Sequence, residues 1–482
     1  MPTSTTVAHG ASRDVAASTT TAGTTGTASR RATTATASTS ARSVQDRRRD
    51  ALERLGVEPH ERAPRRAGVS RRTPATERER PERRRLRREI TLSGLTGIAT
   101  RRERDEPTPR RAPSAGPPPG VWYGIVGVVV VFVMLGLVMV LSASAITEAN
   151  RDRWAYNVFV RQSLWAGLGL VGLVVAAKVD YTFWRRLALP VAVVGVAAMI
   201  VPFVPGIGGS VNGARAWIRV GGLSIQPSEF LKLAVVLVTA DLLTRRRALL
   251  NHRRATLVPL ALIGTVGAGL CMAQGDLGSA IVLGSIVFAT AWVAGVPARP
   301  LASMVAGAAT MGAFFVVSSQ ARLDRFTAFL DVDGNKDRLA WQIYQGYVGI
   351  ASGGVGGSGI GGSKTKLGYL PYAHSDFIFA IVADELGLIG AGAVIVGFVM
   401  LVWFGVQVAL AAPDRFGMLL AGGISSWLGV QAVVNLGGVT GLMPVTGLTL
   451  PFFSAGGSSL FVSMVAVGLV LSVARRIQLR PS

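Results

Sequence analysis

From residue 121 onward the chain is a series of long apolar runs separated by short polar breaks. A run of about 20 apolar residues matches the hydrocarbon thickness of a bilayer when it forms an α-helix. The first run, 121–141, has this length and carries no charge. Ten runs follow this pattern, at residues 121–142, 158–177, 187–204, 225–243, 255–272, 277–295, 302–319, 376–404, 415–436 and 457–474. The pattern predicts an all-α, polytopic integral membrane protein with about ten transmembrane helices.

The polar breaks predict how these spans are oriented. Arginines cluster after the second span, between the fourth and fifth, and after the last, at positions 185–186, 245–254 and 475–480. Short cytoplasmic loops are enriched in Lys and Arg, so both termini are predicted to be cytoplasmic. The extracytoplasmic side then holds 206–224, 320–375 and 437–456, of which the second is a long loop between the seventh and eighth spans.

Composition divides the chain into two regions. Half of the 482 residues are hydrophobic and only 16% are charged, which is too apolar for an ordinary soluble domain. The net charge of +23 is uneven, since 25 of the 50 Lys and Arg residues precede residue 121, and all 25 are arginines. No aromatic residue lies among them to stack on bases, so we predict no nucleic-acid partner. We expect a disordered basic cytoplasmic arm at 1–120, a transmembrane domain at 121–475 and a short cytoplasmic tail at 476–482.

Cysteine and histidine usage excludes several kinds of site. The single cysteine, Cys271, allows no disulfide framework, and the four histidines are scattered along the chain. The sequence therefore predicts no metal site built from cysteine or histidine clusters. No cleavable signal peptide precedes the first apolar run, so that run is expected to act as an uncleaved anchor.

Charged residues beside or within the spans are the first candidates for chemistry. Arg215 lies in the segment after the third span, where cations suggest an anionic ligand; contact with lipid headgroups is the alternative. Glu229 and Lys232 are three residues apart on one helical face, so an ion pair that fixes helix packing is expected. Asp276 precedes the sixth span, where capping of the helix is the simpler interpretation.

The long loop carries the strongest candidates. Gln342 and Gln345 precede a glycine-rich stretch, 352–363, whose backbone amides could approach a phosphate closely. Asp376 sits where the loop meets the eighth span, and partial desolvation there would raise its pKa toward a value suited to a general base. Capping of the span is the alternative role for Asp376. Glu385 follows deeper in the same helix.

The stretch 435–459 is too rich in Pro and Gly to form a regular helix. Non-helical backbone at membrane depth is tolerated only within protein or beside a cavity. We therefore expect this stretch, which contains Ser454, Gly457 and Ser458, to line a cavity.

Together these motifs resemble the SEDS family (shape, elongation, division and sporulation), represented by FtsW and RodA. The resemblance covers about residues 121–475 and rests on motifs in the expected order, at 213–232, 274–278, 342–359, 369–387 and 435–459. The segment 136–144 and the pair Ala373-His374 resemble FtsW more than RodA. Four positions depart from the family pattern: Tyr372 (usually Glu), Thr365 (usually Gln), Gly275 (usually Pro) and Ala455 (often Tyr). The first departure puts a second loop carboxylate in doubt, but it does not affect Asp376.

The resemblance implies a peptidoglycan glycosyltransferase of septal cell-wall synthesis in the bacterial cytoplasmic membrane. Its substrate would be lipid II, the undecaprenyl-pyrophosphate-linked disaccharide-pentapeptide, polymerised on the outer face, and its partners a class B penicillin-binding protein and other division proteins. Asp376 aligns with the aspartate considered essential in the family and is the expected catalytic base. The expected substrate-binding residues are Arg215, Lys366, Gln342, Gln345, His374, Ser454, Gly457 and Ser458. The expected structural or coupling residues are Glu229, Lys232, Asp276 and Glu385.

Several alternatives stay open from the sequence. A lipid II flippase is the main one, although transporters usually show inverted repeats and none is evident here. A RodA-like elongation polymerase and a non-catalytic scaffold for division proteins are the others. No cofactor is readable, and a divalent cation such as magnesium or manganese that neutralises the pyrophosphate is a further open alternative.

Overall fold

A computed structural model describes residues 119–477 apart from 212, 213, 221, 222, 339 and 368. The predicted basic arm, most of the predicted cytoplasmic tail and Gly213 of the first motif lie outside the described residues. Within them the chain forms twelve α-helices: α1 Gly120–Ala149, α2 Asn157–Lys178, α3 Tyr181–Ala198, α4 Pro227–Arg245, α5 Arg253–Ala273, α6 Leu277–Val293, α7 Ala298–Val317, α8 Gln320–Leu330, α9 Trp341–Gly353, α10 Ile378–Ala411, α11 Arg415–Val439 and α12 Gly457–Arg475.

Ten of these helices, all except α8 and α9, coincide with the ten predicted spans. Eight of the ten are long and apolar enough to cross a membrane, which confirms the all-α, polytopic membrane fold. The other two differ for simple reasons. Helix α4 contains both members of the Glu229–Lys232 pair and further charges near its end, and α6 is only 17 residues long.

Capping decides where two helices begin. Helix α3 starts at Tyr181, six residues before the predicted span, because the Asp180 side chain accepts a hydrogen bond from the Thr182 amide at 3.0 Å. Helix α6 starts at Leu277 because the Asp276 carboxylate accepts from the Ser279 amide at 2.8 Å. The expected capping role of Asp276 is therefore present in the structure.

Two regions that the sequence predicts only as loops contain regular structure. A three-stranded antiparallel sheet follows α3, with strands β1 Gly208–Val211, β2 Ala214–Val220 and β3 Leu223–Ile225. Its central strand β2 pairs through Ile218 with Gly208 on one side and Ile225 on the other. The long loop holds the two short helices α8 and α9.

The starts of α4, α6, α10 and α12 lie together at one end of the bundle, which we call the site end. The Gln226 amide donates to Ser458 Oγ at 3.2 Å, and Gln226 Nε2 donates to Asp276 Oδ2 at 3.0 Å. The Ala455 amide donates to the His374 carbonyl at 2.9 Å. The opposite end is tied by charged contacts such as Arg185 to Asp241 at 2.7 Å.

The core is centred on α12. In its most apolar stretch 89% of the residues are buried within the protein, whereas in that of α7 only 6% are. Helix α2 packs closely on α12. A Cβ at Gly468 would lie 2.8 Å from Ala176, and Gly457 packs directly against the Trp165 ring. Glycine at both positions is therefore required by the close approach of these two helices. The structure thus gives Gly457 a packing contact.

Helix α10 is broken inside the membrane region. Gly387 has φ 67° and ψ −165°, outside the helical region, so the carbonyls before it lose their usual partners. The glycine-rich stretch supplies replacements: the amides of Ser358 and Gly359 donate to the carbonyls of Asp384 and Glu385 at 2.9 and 3.0 Å. These two amides are hydrogen-bonded to α10 and therefore cannot bind a phosphate, contrary to the expectation for this stretch.

Candidate functional site

Asp376 lies at the site end, two residues before α10 begins. The residue at the cap position of this helix is Phe377, and no side-chain hydrogen bond caps it, so capping does not explain Asp376. The side chain is half-buried, and its Oδ2 lies 3.7 Å from where a Cβ on Gly447 would be. Gly447 has φ +72°, which a residue with a side chain rarely adopts. The carboxylate therefore faces the backbone of the irregular segment between α11 and α12.

That irregular segment lines a pocket beside the carboxylate, as the Pro and Gly content predicts. The pocket is small and open to solvent, and it is lined by Asp376, Asn435, Thr446 and Gly447 together with apolar neighbours. Asn435 Nδ2 donates to the Asp376 carbonyl at 2.9 Å and to the Leu448 carbonyl at 2.6 Å. This one amide therefore fixes the two walls of the pocket to each other.

Ser454 makes a second connection between the same two segments. Its Oγ donates to the Ser375 carbonyl at 2.6 Å and accepts from the Leu450 amide at 2.8 Å. Its carbonyl accepts from Gln162 Nε2 of α2 at 2.9 Å. Ser454 is buried, so the structure shows it holding backbone beside Asp376; its predicted role in binding substrate stays a prediction.

Burial raises the pKa of Asp376 to about 6. The Ser375 hydroxyl, which hydrogen-bonds to the carboxylate, opposes this rise, and the negative charge of Asp276 adds to it. Asp276 lies close because Gly278 lets the start of α6 approach the Thr446 carbonyl; a Cβ there would be 2.8 Å from that oxygen. Asp376 is thus half protonated near pH 6 and mostly ionised at pH 7, so its pKa suits a general base.

His374 lies two residues before Asp376 and is half-buried. Burial lowers its pKa, an effect that Glu148 at the end of α1 opposes and Arg151 reinforces. The imidazole is therefore neutral near pH 7, and it can donate or accept a hydrogen bond without carrying charge.

The remaining predicted substrate residues are spread along the site end. Arg215 is exposed on β2, whose backbone amide at this position donates to the Gln274 carbonyl at 2.9 Å. Gln342 of α9 donates through Nε2 to the Pro371 carbonyl at 3.1 Å, whereas Gln345 is buried. Ser458 is buried and accepts from the Gln226 amide.

Lys366 is buried in an ion pair that the sequence does not predict. Its side chain is 2% exposed, and its Nζ lies 2.6 Å from Glu385 Oε1 in a buried ion pair. The ammonium is thus directed at Glu385 of α10, and the predicted role of Lys366 in binding substrate stays a prediction. The sequence could not reveal this partner, because the two residues are far outside helical spacing.

The second buried ion pair is the one that helical spacing predicts. Lys232 Nζ lies 2.7 Å from Glu229 Oε1 and donates to Gln431 Oε1 of α11 at 3.1 Å. Gln431 Nε2 in turn donates to the Thr449 carbonyl at 3.0 Å. The pair therefore supports the same irregular segment through Gln431.

Asn435 is a site residue that the sequence prediction does not single out. It stands at the end of the apolar run of α11, and a polar side chain buried in a membrane helix is itself a signal of function. Its Oδ1 is buried and has no hydrogen-bond partner within the described part of the chain.

Known proteins share this architecture. A family model described as "Cell cycle protein", that of FtsW, RodA and SpoVE, matches residues 124–479. A probable peptidoglycan glycosyltransferase FtsW of Trichlorobacter lovleyi is 38% identical over 355 residues, which is 73% of this chain and 93% of the relative. Stage V sporulation protein E of Bacillus subtilis is 37% identical over 353 residues, 73% of this chain and 96% of that one.

Solved structures agree with the sequence relatives. One chain, from a structure described as showing coordination of polymerization and crosslinking by a peptidoglycan synthase complex, matches with a TM-score of 0.62 and 31% identity over 74% of this chain and 98% of its own. Rod shape determining protein RodA of Thermus thermophilus matches with a TM-score of 0.56 and 31% identity over 74% of this chain and 97% of its own. The protein therefore belongs to the FtsW/RodA/SpoVE family of cell cycle proteins, the SEDS family whose motifs it carries.

Proposed function

We propose that this protein is a peptidoglycan glycosyltransferase that polymerises lipid II, with Asp376 as the general base. Relatives 37 to 38% identical over most of the chain are named as probable peptidoglycan glycosyltransferases. The observation that carries the assignment of Asp376 is its carboxylate, which borders a pocket at the site end and has a pKa raised to about 6.

The reaction needs a base and a stabilised leaving group. A hydroxyl of one lipid II sugar forms a bond to the anomeric carbon of another, its proton passes to the Asp376 carboxylate, and the bond from that carbon to the pyrophosphate breaks. The departing pyrophosphate carries the electron pair and the negative charge. Cations near the pocket would stabilise that charge.

We assign the leaving-group role to the exposed arginines of β2 and not to Lys366. Arg215 and Arg219 are both exposed, and their spacing of four places them on one face of the strand. An arginine fork can bind a phosphate through two parallel hydrogen bonds. Among the described residues no three His, Cys, Asp or Glu side chains are grouped to hold a metal ion. A divalent cation that neutralises the pyrophosphate stays an untested alternative.

The orientation and the partner belong to the same proposal. The site end would face outward, where lipid II is polymerised, and both termini would be cytoplasmic at the division septum. The relative in a peptidoglycan synthase complex supports a class B penicillin-binding protein as the crosslinking partner. The resemblance to FtsW favours division over elongation.

The test is polymerisation of labelled lipid II by the purified protein in detergent, with products resolved on a gel and a class B penicillin-binding protein absent or added. We expect Asp376→Asn to reduce the rate by about 10²- to 10⁴-fold, the usual contribution of a general base. The carboxamide has nearly the same shape but cannot accept the proton at neutral pH.

The matched control is Asp333→Asn, which removes an exposed carboxylate from the same loop and should leave the rate unchanged. Near-normal glycan chains from folded Asp376→Asn would refute the base assignment. The assay also separates polymerase from flippase, because in detergent a flippase has no membrane to move its lipid across.

A further inference from the structure

Two neighbouring side-chain pairs join the chain before Asp376 to the helix after it. Thr365 Oγ1 donates to Asp384 Oδ2 at 3.0 Å, and Lys366 Nζ donates to Glu385 Oε1 at 2.6 Å. Each pair spans 19 residues, and Asp376 lies near the middle of the loop that they close. We call these four residues the clasp.

The clasp is buried within the helix bundle and shielded from water. The side chains of Lys366 and Glu385 are 2% and 0% exposed. Glu385 lies seven residues into α10, which is about 10 Å along the helix axis from its start. At such a depth, an ionised side chain that loses its partner is strongly destabilising. The ion pair therefore holds the start of the loop firmly against α10.

Helix α1 completes the surroundings of the ion pair. Ser142 Oγ lies 2.7 and 2.9 Å from the two carboxylate oxygens of Glu385 and accepts a hydrogen bond from Lys366 Nζ at 2.9 Å. Both charged groups thus have polar partners from a third element. The clasp is anchored to the bundle, and the loop that carries Asp376 is anchored with it.

Among the described residues between the clasp and Asp376, the backbone forms no helix or strand that would hold the loop by itself. Its backbone carbonyls at Tyr369 and Pro371 accept from Trp341 and Gln342 of α9, both exposed contacts. The two ends of the loop are fixed by different contacts. The clasp holds one end, and Asn435, Ser454 and the Ala455 amide hold the other by donating to the carbonyls of Asp376, Ser375 and His374. The position of the carboxylate therefore depends on the clasp together with these contacts beside it, and the clasp fixes the part of the loop that they do not reach.

We propose that Lys366 and Glu385 are positioning residues, which hold the Asp376 carboxylate at its pocket through the loop they close and do not themselves contact substrate. This inference rests on the proposed role of Asp376 as the base. A misplacement of about 1 Å in a catalytic group can reduce a rate by about 10²-fold, so loss of the clasp should affect turnover more than substrate affinity.

The test compares kcat and KM for lipid II in the purified full-length protein and in Lys366→Met, Glu385→Gln and the double variant. Each single change should lower kcat by about tenfold to 10²-fold with KM nearly unchanged. The double variant should keep more activity than either single variant, because neither charge is left buried alone. Lys364→Met is the matched control, since Lys364 is exposed two residues away, and it should behave like the unmodified protein.

The pattern of the double variant separates the clasp from a direct contact. If Lys366 touched the leaving pyrophosphate, Glu385→Gln would be mild and the double variant would be as inactive as Lys366→Met; that result would overturn the proposal. Wild-type kcat in both single variants would overturn it too. Should Lys366→Met not fold, Glu385→Gln against the double variant gives the same decision. Asp376→Asn tests the base separately, so a failure of the clasp can be distinguished from a failure of the base assignment.

Discussion

At the scale of single residues, the protonation of Asp376 should control the pH dependence of polymerisation. A base must be ionised, and the pKa of this carboxyl is raised to about 6. Below that pH the protonated fraction grows, so the initial rate should fall, approaching tenfold per pH unit, and above it the rate should level off. The measurement is the initial rate of lipid II polymerisation across this range at substrate concentrations well below KM, where the rate reports the pKa of the free enzyme.

The variant Asp276→Asn tests whether this acidic limb belongs to Asp376. The negative charge of Asp276 helps to raise the pKa of Asp376, so its removal should move the limb to lower pH. Asparagine can still accept the hydrogen bond from the Ser279 amide and cap α6. Asp333→Asn should leave the limb in place. A limb that stays fixed or moves to higher pH in Asp276→Asn would assign it to another group.

The sequence predicts single residues well where local spacing decides their environment. Glu229 and Lys232 are one helical turn apart, and Asp276 stands at a helix start, so both expectations match the contacts that the structure shows. Lys366 and Glu385 are 19 positions apart, and the path of the loop between Lys366 and α10 depends on contacts with α1 and α9. Periodicity carries no information about such a pair.

At the scale of elements, the break in α10 has the same origin. The run 376–404 is apolar apart from Asp376, Asp384 and Glu385, and a glycine in such a run does not reveal that its φ is positive. The break exists because the glycine-rich stretch donates and accepts hydrogen bonds there: the Leu388 amide donates to the Gly354 carbonyl at 2.9 Å. Tertiary contact overrides the local preference for a continuous helix.

Two adjacent glycines in that stretch allow a matched test of this contact. Gly357 has φ +82°, and a Cβ there would overlap the Glu385 carbonyl, whereas Gly356 has no atom within 4 Å of such a Cβ. Gly357→Ala should lower the thermal midpoint by at least about 2 °C and reduce polymerisation, because it pushes the stretch away from the break and strains the backbone.

Gly356→Ala serves as the control, and its thermal midpoint in the same detergent should match that of the unmodified protein. Equal midpoints for the two variants would show that the stretch does not depend on its close approach to α10. A lower midpoint for Gly356→Ala alone would contradict the placement of both glycines.

At the scale of the whole molecule, the positions of the membrane helices along the chain are the most predictable property. Hydrocarbon thickness sets a minimum length for a span, so the apolar runs locate the ten helices other than α8 and α9. The sheet β1–β3 and the pocket depend on how segments far apart in sequence meet at the site end. The sequence predicts a cavity beside 435–459, but the opposing wall with Asp376 follows only from the fold.

The arm before α1 should be dispensable for the polymerase itself. The family model begins at residue 124. The matched segments make up 93% and 96% of the lengths of the two relatives but only 73% of this chain. The arm consists mainly of Arg, Ser, Thr, Pro and Ala without apolar periodicity, a composition that cannot bury a core.

Removal of residues 1–110 should therefore leave a monodisperse protein in detergent with a thermal midpoint and a lipid II polymerisation rate close to those of the full chain. Aggregation or loss of rate would show that the arm stabilises the membrane domain. Normal activity with loss of septal localisation in cells would instead assign it to a partner or to the anionic membrane surface, which its arginines would attract.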